Sequence, residues 1–249
     1  MIHWNTLCAV ALTLAAGVFP TACSDPTQAR DLEEEAVVGR VTMDFAMQMA
    51  LAMSDGKVPV ITSAGGESVA GLAAGTILAE HDSSIIVDDY CLSSCASYVM
   101  AGANHVEFRD RAVVGFHDNA HLDYSIYAEV WPERGCYQRT YEMEREIYAR
   151  NTGGERFLDE LHERLAPSII SVEEVADESD LNELCMSVSY ELTNQYWFPT
   201  SQQIEEFMGI EVEGDLCADD AACMRRRLRN LHLTGTVVVG DDVWTLPLD

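Results

Sequence analysis

Short apolar strands alternate with small-residue helices between Val58 and His117, and this alternation constrains the fold more than any other feature of the chain. The pattern predicts strands over 58–62, 85–87, 106–108 and 112–116, and helices over 68–80 and 93–102. A strand, a helix and a further strand at this spacing form a right-handed crossover, which leaves the two strands parallel. We therefore expect an α/β fold of stacked parallel strands with flanking helices.

Outside this region the pattern is mostly helical. It predicts helices over 37–53, 124–150 with a break near Pro132 and Gly135, 155–165, 172–184, 201–208 and 224–229, and a terminal β-hairpin over 234–248. We expect the last part of the chain, which holds this hairpin, to be a small C-terminal extension.

The charge balance excludes one class of partner. The 249-residue chain has 15 Lys and Arg against 42 Asp and Glu, a formal net charge of −27. Such a surface repels phosphate backbones, so we expect no nucleic-acid partner. Hydrophobic residues make up 48% of the chain, which is enough for a full core. No apolar run outside the N-terminus is long enough to span a membrane.

The N-terminus has the pattern of a secretory signal. Residues 7–19 are almost entirely apolar, and they are followed by the small residues 20–23, which end in Cys23. Cys23 after Thr21 and Ala22 resembles a bacterial lipobox, although Pro20 stands where that motif usually has Leu. Two outcomes stay open, a lipidated Cys23 and a simple cleavage. We expect an exported protein that is either periplasmic or anchored to the membrane as a lipoprotein. Membrane contact would then be made only through the N-terminal lipid.

Cysteine usage agrees with export. Eight cysteines less Cys8 and Cys23 leave an even six, which suggests up to three disulfides among 15 pairings. We favour Cys217–Cys223, across a short polar loop, and a Cys136–Cys185 bond would then join two helical segments.

Cys91 and Cys95 have two interpretations: they are either two small buried thiols or members of a disulfide. A metal site is not expected. The chain has no C-x-x-C pair, and the spacing of His117 and His121 is its only ligand-like histidine pattern.

Three short pieces predict a site for nucleophilic catalysis. The turn Ser63–Gly66 follows a predicted strand, residues 91–95 open the next helix, and His117 ends a later strand. Functional groups gather at the carboxyl ends of parallel strands. A serine at a helix start can act as nucleophile and a histidine as its base, while N–H groups of a Gly-Gly turn and a helix N-terminus can bind an oxyanion.

These pieces resemble the Clp-protease/crotonase superfamily, and most of all its secreted, Clp-like serine-hydrolase members. The matching stretches are ITSAGGESVAGLAAGTI (61–77), CLSSCASYVMAGA (91–103) and AVVGFH (112–117). Family members have a similar S-P-G-G turn, a C-x-S-x-C segment that runs into A-G, and a strand that ends in G-x-H. Ala64 replaces the usual Pro of the turn. The resemblance extends loosely over residues 36–210.

The resemblance implies roles for individual residues. Ser93 would be the nucleophile, with Ser94 as the less favoured alternative, and His117 would be the general base. Gly65 or Gly66, together with the Ser94 N–H, would form the oxyanion hole. The family's acidic residue lies in a later segment, where Glu191 has the best offset and Asn194 is the runner-up.

The resemblance also implies a function and a domain division. We expect an exported serine hydrolase, a peptidase acting on peptide or protein substrates, with no cofactor and no metal, and with a tendency to form homo-oligomers. The alternatives are a non-catalytic binding or assembly protein on the same fold and a crotonase-like acyl-CoA enzyme, which export and negative charge disfavour. The expected parts are a signal peptide (1–23), an acidic linker (24–35), a hydrolase domain (36–210) and a disulfide-tied extension (211–249).

Overall fold

The computed structural model of the protein describes residues 33–130, 138–150, 154–176, 184–231 and 233–246. The strands are β1 Glu34–Val38, β2 Val58–Ser63, β3 Ser84–Leu92, β4 His105–Phe108, β5 Val113–Gly115, β6 Pro167–Ala176, β7 Leu184–Leu192, β8 Tyr196–Phe198, β9 Glu211–Glu213, β10 Gly235–Val239 and β11 Asp242–Leu246. The α-helices are α1 Met43–Ser54, α2 Ser68–Glu80, α3 Ala120–Val130, α4 Gln138–Tyr148, α5 Gly154–Leu165, α6 Ser201–Met208 and α7 Ala221–Asn230. None of the helices in these ranges is both long and apolar enough to cross a membrane.

The main sheet has the order β1-β2-β3-β4-β9, and all its pairs are parallel. The long strand β3 has two partners on one side, since its first half pairs with β4 and its last residues pair with β5. The register of the second pairing sets Leu92 opposite Gly115. The predicted α/β fold class, with flanking helices and a small C-terminal sheet, is confirmed, and the β3–β5 pairing brings the ends of two strands together.

Small residues on α2 allow the chain after β3 to lie close against this helix. A Cβ added at Gly71 would meet the Tyr98 ring at 2.9 Å, and one added at Gly75 would collide with the Tyr98 carbonyl oxygen. The chain that packs here forms one π-helical turn, Cys95–Val99, followed by a 3₁₀ turn, Met100–Gly102. The sequence pattern predicted a regular helix over 93–102. The segment is helical, but its first turn is wider than an α-helix and its second turn is narrower.

Two predicted helices need correction. The helix predicted over 37–53 begins only at Met43, because residues before Gly39 form β1 beside β2 and Gly39 has φ +121. The helix predicted over 172–184 is wrong at both of its described ends, since residues 172–176 belong to β6 and Leu184 begins β7, and these two strands pair antiparallel. The residues between them lie outside what the structure describes. β-Branched residues are frequent in β6 (Ile169, Ile170, Val172, Val175), and their restricted χ1 favours a strand over the helix that the apolar spacing suggested.

The C-terminal hairpin is found as predicted, with β10 and β11 antiparallel around Gly240. β10 also pairs in parallel with β8, and β9 extends the main sheet beside β4. Residues after 210 therefore contribute strands to the main sheet and to the three-stranded sheet of β8, β10 and β11. Cys217 in the short 3₁₀ turn Cys217–Asp219 is disulfide-bonded to Cys223 in α7, whose N-terminus is capped by Asp220.

Candidate active site

Ser93 occupies a sharp turn between β3 and the π-helical turn. Its φ is +56, in a region that non-glycine residues seldom adopt. Hydrogen bonds on both sides keep it there: the Ser93 N–H donates to the Gly115 carbonyl at 2.9 Å, and the Ser97 N–H donates to the Ser93 carbonyl at 2.8 Å. The turn is thus held by β5 on one side and by the following helical turn on the other, a setting in which backbone strain persists at functional sites.

The Gly65–Gly66 turn lies directly against Ser93. Gly65 has φ +88, and a Cβ at this position would approach the Ser93 Cβ to 2.6 Å and the Leu92 carbonyl oxygen to 2.7 Å. The Gly65 N–H donates to the Ser63 hydroxyl at 3.1 Å, and the Gly66 N–H donates to the Ser94 hydroxyl at 2.8 Å. Both N–H groups therefore have serine partners, which an incoming oxyanion would have to displace.

His117 faces Ser93 across the ends of β3 and β5. The distance between His117 Nε2 and Ser93 Oγ is 2.5 Å, although the two residues are 24 positions apart. Phe116 fixes the base of this loop, because its N–H and carbonyl both bond to Trp197 at 2.8 Å. Ser94, the alternative nucleophile, is buried and its hydroxyl points instead to the Gly66 N–H.

The carboxylate that contacts His117 is that of Asp118, whose Oδ1 lies against His117 Nδ1. Neither Glu191 nor Asn194, the two residues that the sequence offered for the third catalytic position, makes this contact with His117. Glu191 is exposed at the end of β7, opposite Ser168, and Asn194 donates its side-chain amide to the Arg164 carbonyl at 2.7 Å. The family pattern directed attention to a later segment, whereas the only sequence signal for Asp118 is an acidic residue next to the histidine.

A second carboxylate, Asp123 in the first turn of α3, is close enough to this pair for its charge to interact with both His117 and Asp118. Burial raises the pKa of Asp123 to about 6, even though the Tyr190 hydroxyl donates to its Oδ1 at 2.8 Å and favours the ionised form. Repulsion from Asp118 raises the pKa of Asp123 further, and His117 opposes this effect. The site therefore contains two carboxylates in different environments, one at the surface and one partly enclosed.

A buried polar cluster connects the Ser93 segment to the start of α3. Glu144 of α4 accepts the His121 N–H at 2.5 Å, and burial raises the pKa of Glu144 well above its usual range. Tyr98 accepts the Ala120 N–H at 3.0 Å, and the Tyr148 hydroxyl donates to the Ser97 carbonyl at 2.9 Å. The cluster ties the chain after Ser93 and the chain after His117 to the same helix.

The structure joins Cys91 to Cys95, with 5.3 Å between their Cα atoms, so a disulfide closes the turn around Ser93. The expected Cys217–Cys223 bond is present with the same Cα separation. Cys136, the Cys185 side chain and Cys23 lie outside what the structure describes. Among the described residues, no group of three or more His, Cys, Asp or Glu side chains is arranged to hold a metal ion.

No protein-family model matches the chain, and no curated protein matches it. Among solved structures, a point mutant of ClpP1 from Listeria monocytogenes is similar, with a TM-score of 0.38 and 10% sequence identity over 73% of this chain and 92% of that chain. The roles considered for Ser93 and His117 rest on their own contacts and on the sequence motifs around them.

Proposed function

We propose that the protein is a serine hydrolase in which Ser93 is the nucleophile and His117 its general base. The observation that carries the proposal is the 2.5 Å contact between Ser93 Oγ and His117 Nε2. A hydroxyl and an imidazole at hydrogen-bond distance are the minimum that nucleophilic catalysis by serine requires. The contact joins the ends of two neighbouring parallel strands, which is where α/β folds collect their functional groups.

In the proposed reaction, Ser93 Oγ attacks a carbonyl carbon and transfers its proton to His117 Nε2. Asp118, against the other ring nitrogen, stabilises the imidazolium that forms. His117 then donates this proton to the leaving group as its bond to the acyl carbon breaks. A water molecule, deprotonated by His117, finally releases the acyl group from Ser93.

The oxyanion of the tetrahedral intermediate would be bound by backbone N–H groups of Gly65, Gly66 and Ser94. For this, the acyl oxygen takes over the N–H groups that now donate to the hydroxyls of Ser63 and Ser94. Such exchange costs little when the new acceptor carries negative charge, because charge-assisted hydrogen bonds are the stronger ones. The proposed reaction needs neither a metal nor a cofactor.

We infer a peptide or protein substrate from the resemblance of the three motif stretches to Clp-like hydrolases. We also infer export, because disulfides such as Cys91–Cys95 and Cys217–Cys223 persist in oxidising compartments and the N-terminal pattern is that of a secretory signal. Lipidation of Cys23 and assembly into homo-oligomers are further parts of this proposal.

One observation favours the alternative, a non-catalytic binding protein on the same fold. The two glycine N–H groups that a hydrolase would offer to an oxyanion donate to serine hydroxyls instead. A probe that reacts only with an activated serine separates the two functions.

The test is labelling of the purified protein with a fluorophosphonate. In this reaction Ser93 Oγ bonds to phosphorus, fluoride leaves, and the serine proton passes to His117. We expect Ser93→Ala to abolish labelling and Ser94→Ala to retain it, with the label found by mass mapping on the peptide that contains Ser93. Equal labelling of the unaltered protein and a correctly folded Ser93→Ala variant would overturn the proposal.

A further inference from the structure

The arrangement around His117 contains more than a triad requires. We propose that Asp123 supplies a second carboxylate near the His117–Asp118 contact and that Tyr190 holds this carboxylate in place. Both would be positioning residues that strengthen His117 as the base. This inference rests on the proposed function, in which His117 takes the proton of Ser93.

Asp123 is tied to His117 by a short capped turn. Asn119, which is buried, accepts the Leu122 N–H with its side chain at 2.8 Å and the Asp123 N–H with its carbonyl at 3.1 Å. These two bonds fix the first turn of α3 directly after His117 and Asp118. The place of the Asp123 carboxylate relative to the imidazole is therefore set by local backbone structure.

Tyr190 holds the same carboxylate from a different part of the chain. It lies on β7, and its hydroxyl donates to Asp123 Oδ1 at 2.8 Å across a sequence separation of 67. Tyr190 is partly buried and packs against the main core, so its hydroxyl has a defined position. A hydrogen bond from a neutral hydroxyl stabilises the ionised carboxylate more than the protonated one.

Among the titratable groups of the described ranges whose charge acts on Asp123, only His117 acquires a positive charge during the reaction. Those groups are His117 and Asp118 before α3, Tyr190 on β7, Glu144 on α4 and Tyr98 in the π-helical turn. When His117 takes the proton of Ser93, its imidazolium is attracted by both Asp118 and Asp123.

The two carboxylates do not contribute equally. The side chain of Asp118 is 46% exposed, so water weakens its effect on His117. Asp123 is more enclosed, and its charge acts through a medium of lower dielectric constant. Because the pKa of Asp123 is about 6, this carboxylate is ionised at neutral pH and becomes neutral on mild acidification.

The experiment is the second-order rate of fluorophosphonate labelling between pH 5.5 and 8.5 for the unaltered protein, Tyr190→Phe, Asp123→Asn and the double variant. Tyr190→Phe removes the donor that favours ionised Asp123, so we expect the acidic limb of its profile to move up by about one pH unit. Its rate should meet that of the unaltered protein at pH 8.5. Asp123→Asn should label about tenfold more slowly at pH 8.5.

The double variant should behave as Asp123→Asn does, because Tyr190 acts only through Asp123. The matched control is Glu163→Gln, which removes an exposed carboxylate on α5 and should leave the profile unchanged. If Tyr190→Phe does not fold, the loss of rate in Asp123→Asn and the unchanged control still decide the question.

Two results would contradict the proposal, and they have different meanings. A Tyr190→Phe variant that is slower by the same factor at every pH, or that slows labelling equally when Asp123 is already Asn, would overturn the positioning role and leave the serine hydrolase intact. Labelling of the unaltered protein that does not depend on Ser93 would overturn both.

Discussion

Gly65 controls how closely the glycine turn approaches Ser93. Its φ of +88 strains any other residue, and a Cβ there would overlap the Ser93 side chain and the Leu92 carbonyl. We expect Gly65→Ala to displace Ser93 from His117 and to slow fluorophosphonate labelling by about a hundredfold, because misplacement of about 1 Å costs this much.

Gly56→Ala is the control for this substitution. Gly56 also has a positive φ, +74, but an added Cβ would meet nothing within 4 Å, and the residue lies before β2, at the end of this strand opposite the glycine turn. Both variants should lose about 1 to 3 kcal/mol in the free energy of unfolding measured with urea. Unchanged labelling of Gly65→Ala would show that this close approach has no role in the site.

At the scale of secondary-structure elements, local patterns predicted the four inner strands of the parallel sheet, β2 to β5, but neither of its edge strands, β1 and β9. β2, α2, β4 and β5 lie within a residue or two of their expected bounds, because their apolar spacing and flanking turn residues are local properties. The segments that the pattern described poorly depend on distant partners. The turn after β3 is shaped by Gly65 and by the 91–95 disulfide, and the pairing of β6 with β7 overrides a helical spacing of apolar residues.

The same distinction applies to the candidate site. The motif around Ser93 and the strand end at His117 were visible in the sequence, but their 2.5 Å contact depends on the register that sets Leu92 opposite Gly115. Asp118 was not predicted because neighbouring residues in an extended chain usually point to opposite sides. Its contact with His117 arises where the strand has ended and the chain turns into α3.

The Cys91–Cys95 disulfide joins the last residues of β3 to the π-helical turn, so it belongs to this scale as well. We expect the double substitution Cys91→Ser and Cys95→Ser to slow labelling of Ser93 about tenfold, since the turn that carries the proposed nucleophile loses its covalent closure. The matched control is Cys217→Ser with Cys223→Ser, which opens a disulfide in the C-terminal segment and should leave labelling unchanged. If both double variants label at the same rate, the 91–95 disulfide has no specific effect on the site.

At the scale of the whole molecule, α4 links the elements that carry Ser93 and His117. Tyr148 holds the carbonyl of Ser97, and Glu144 accepts the N–H of His121 at the start of α3. Glu144 is completely buried, which is rare for a glutamate, and no Lys or Arg within the described ranges forms an ion pair with it. Its carboxyl group therefore makes the stability of the whole fold depend on pH.

The sign of this dependence follows from the raised pKa of Glu144. In the unfolded chain the group ionises near its usual value of 4.5, whereas burial keeps it protonated in the folded protein to well above that value. Between these two pKa values Glu144 loses its proton only in the unfolded state. The contribution of Glu144 to the free energy of unfolding therefore falls as pH rises, by about 1 to 2 kcal/mol per pH unit. Below the unfolded pKa the contribution is fully present.

Glu144→Gln cannot ionise and keeps an oxygen that can accept the His121 N–H. We expect the free energy of unfolding of Glu144→Gln, relative to the unaltered protein, to increase as pH rises from 4.5 to 7.5 in urea denaturation. Glu146→Gln, an exposed position on the same helix, serves as control and should show no such trend. A difference between Glu144→Gln and the unaltered protein that stays constant over this range would mean that Glu144 is ionised in the folded state. The buried link between the Ser93 and His117 elements would then carry a charge, and its His121 contact would be the main reason for its place in the core.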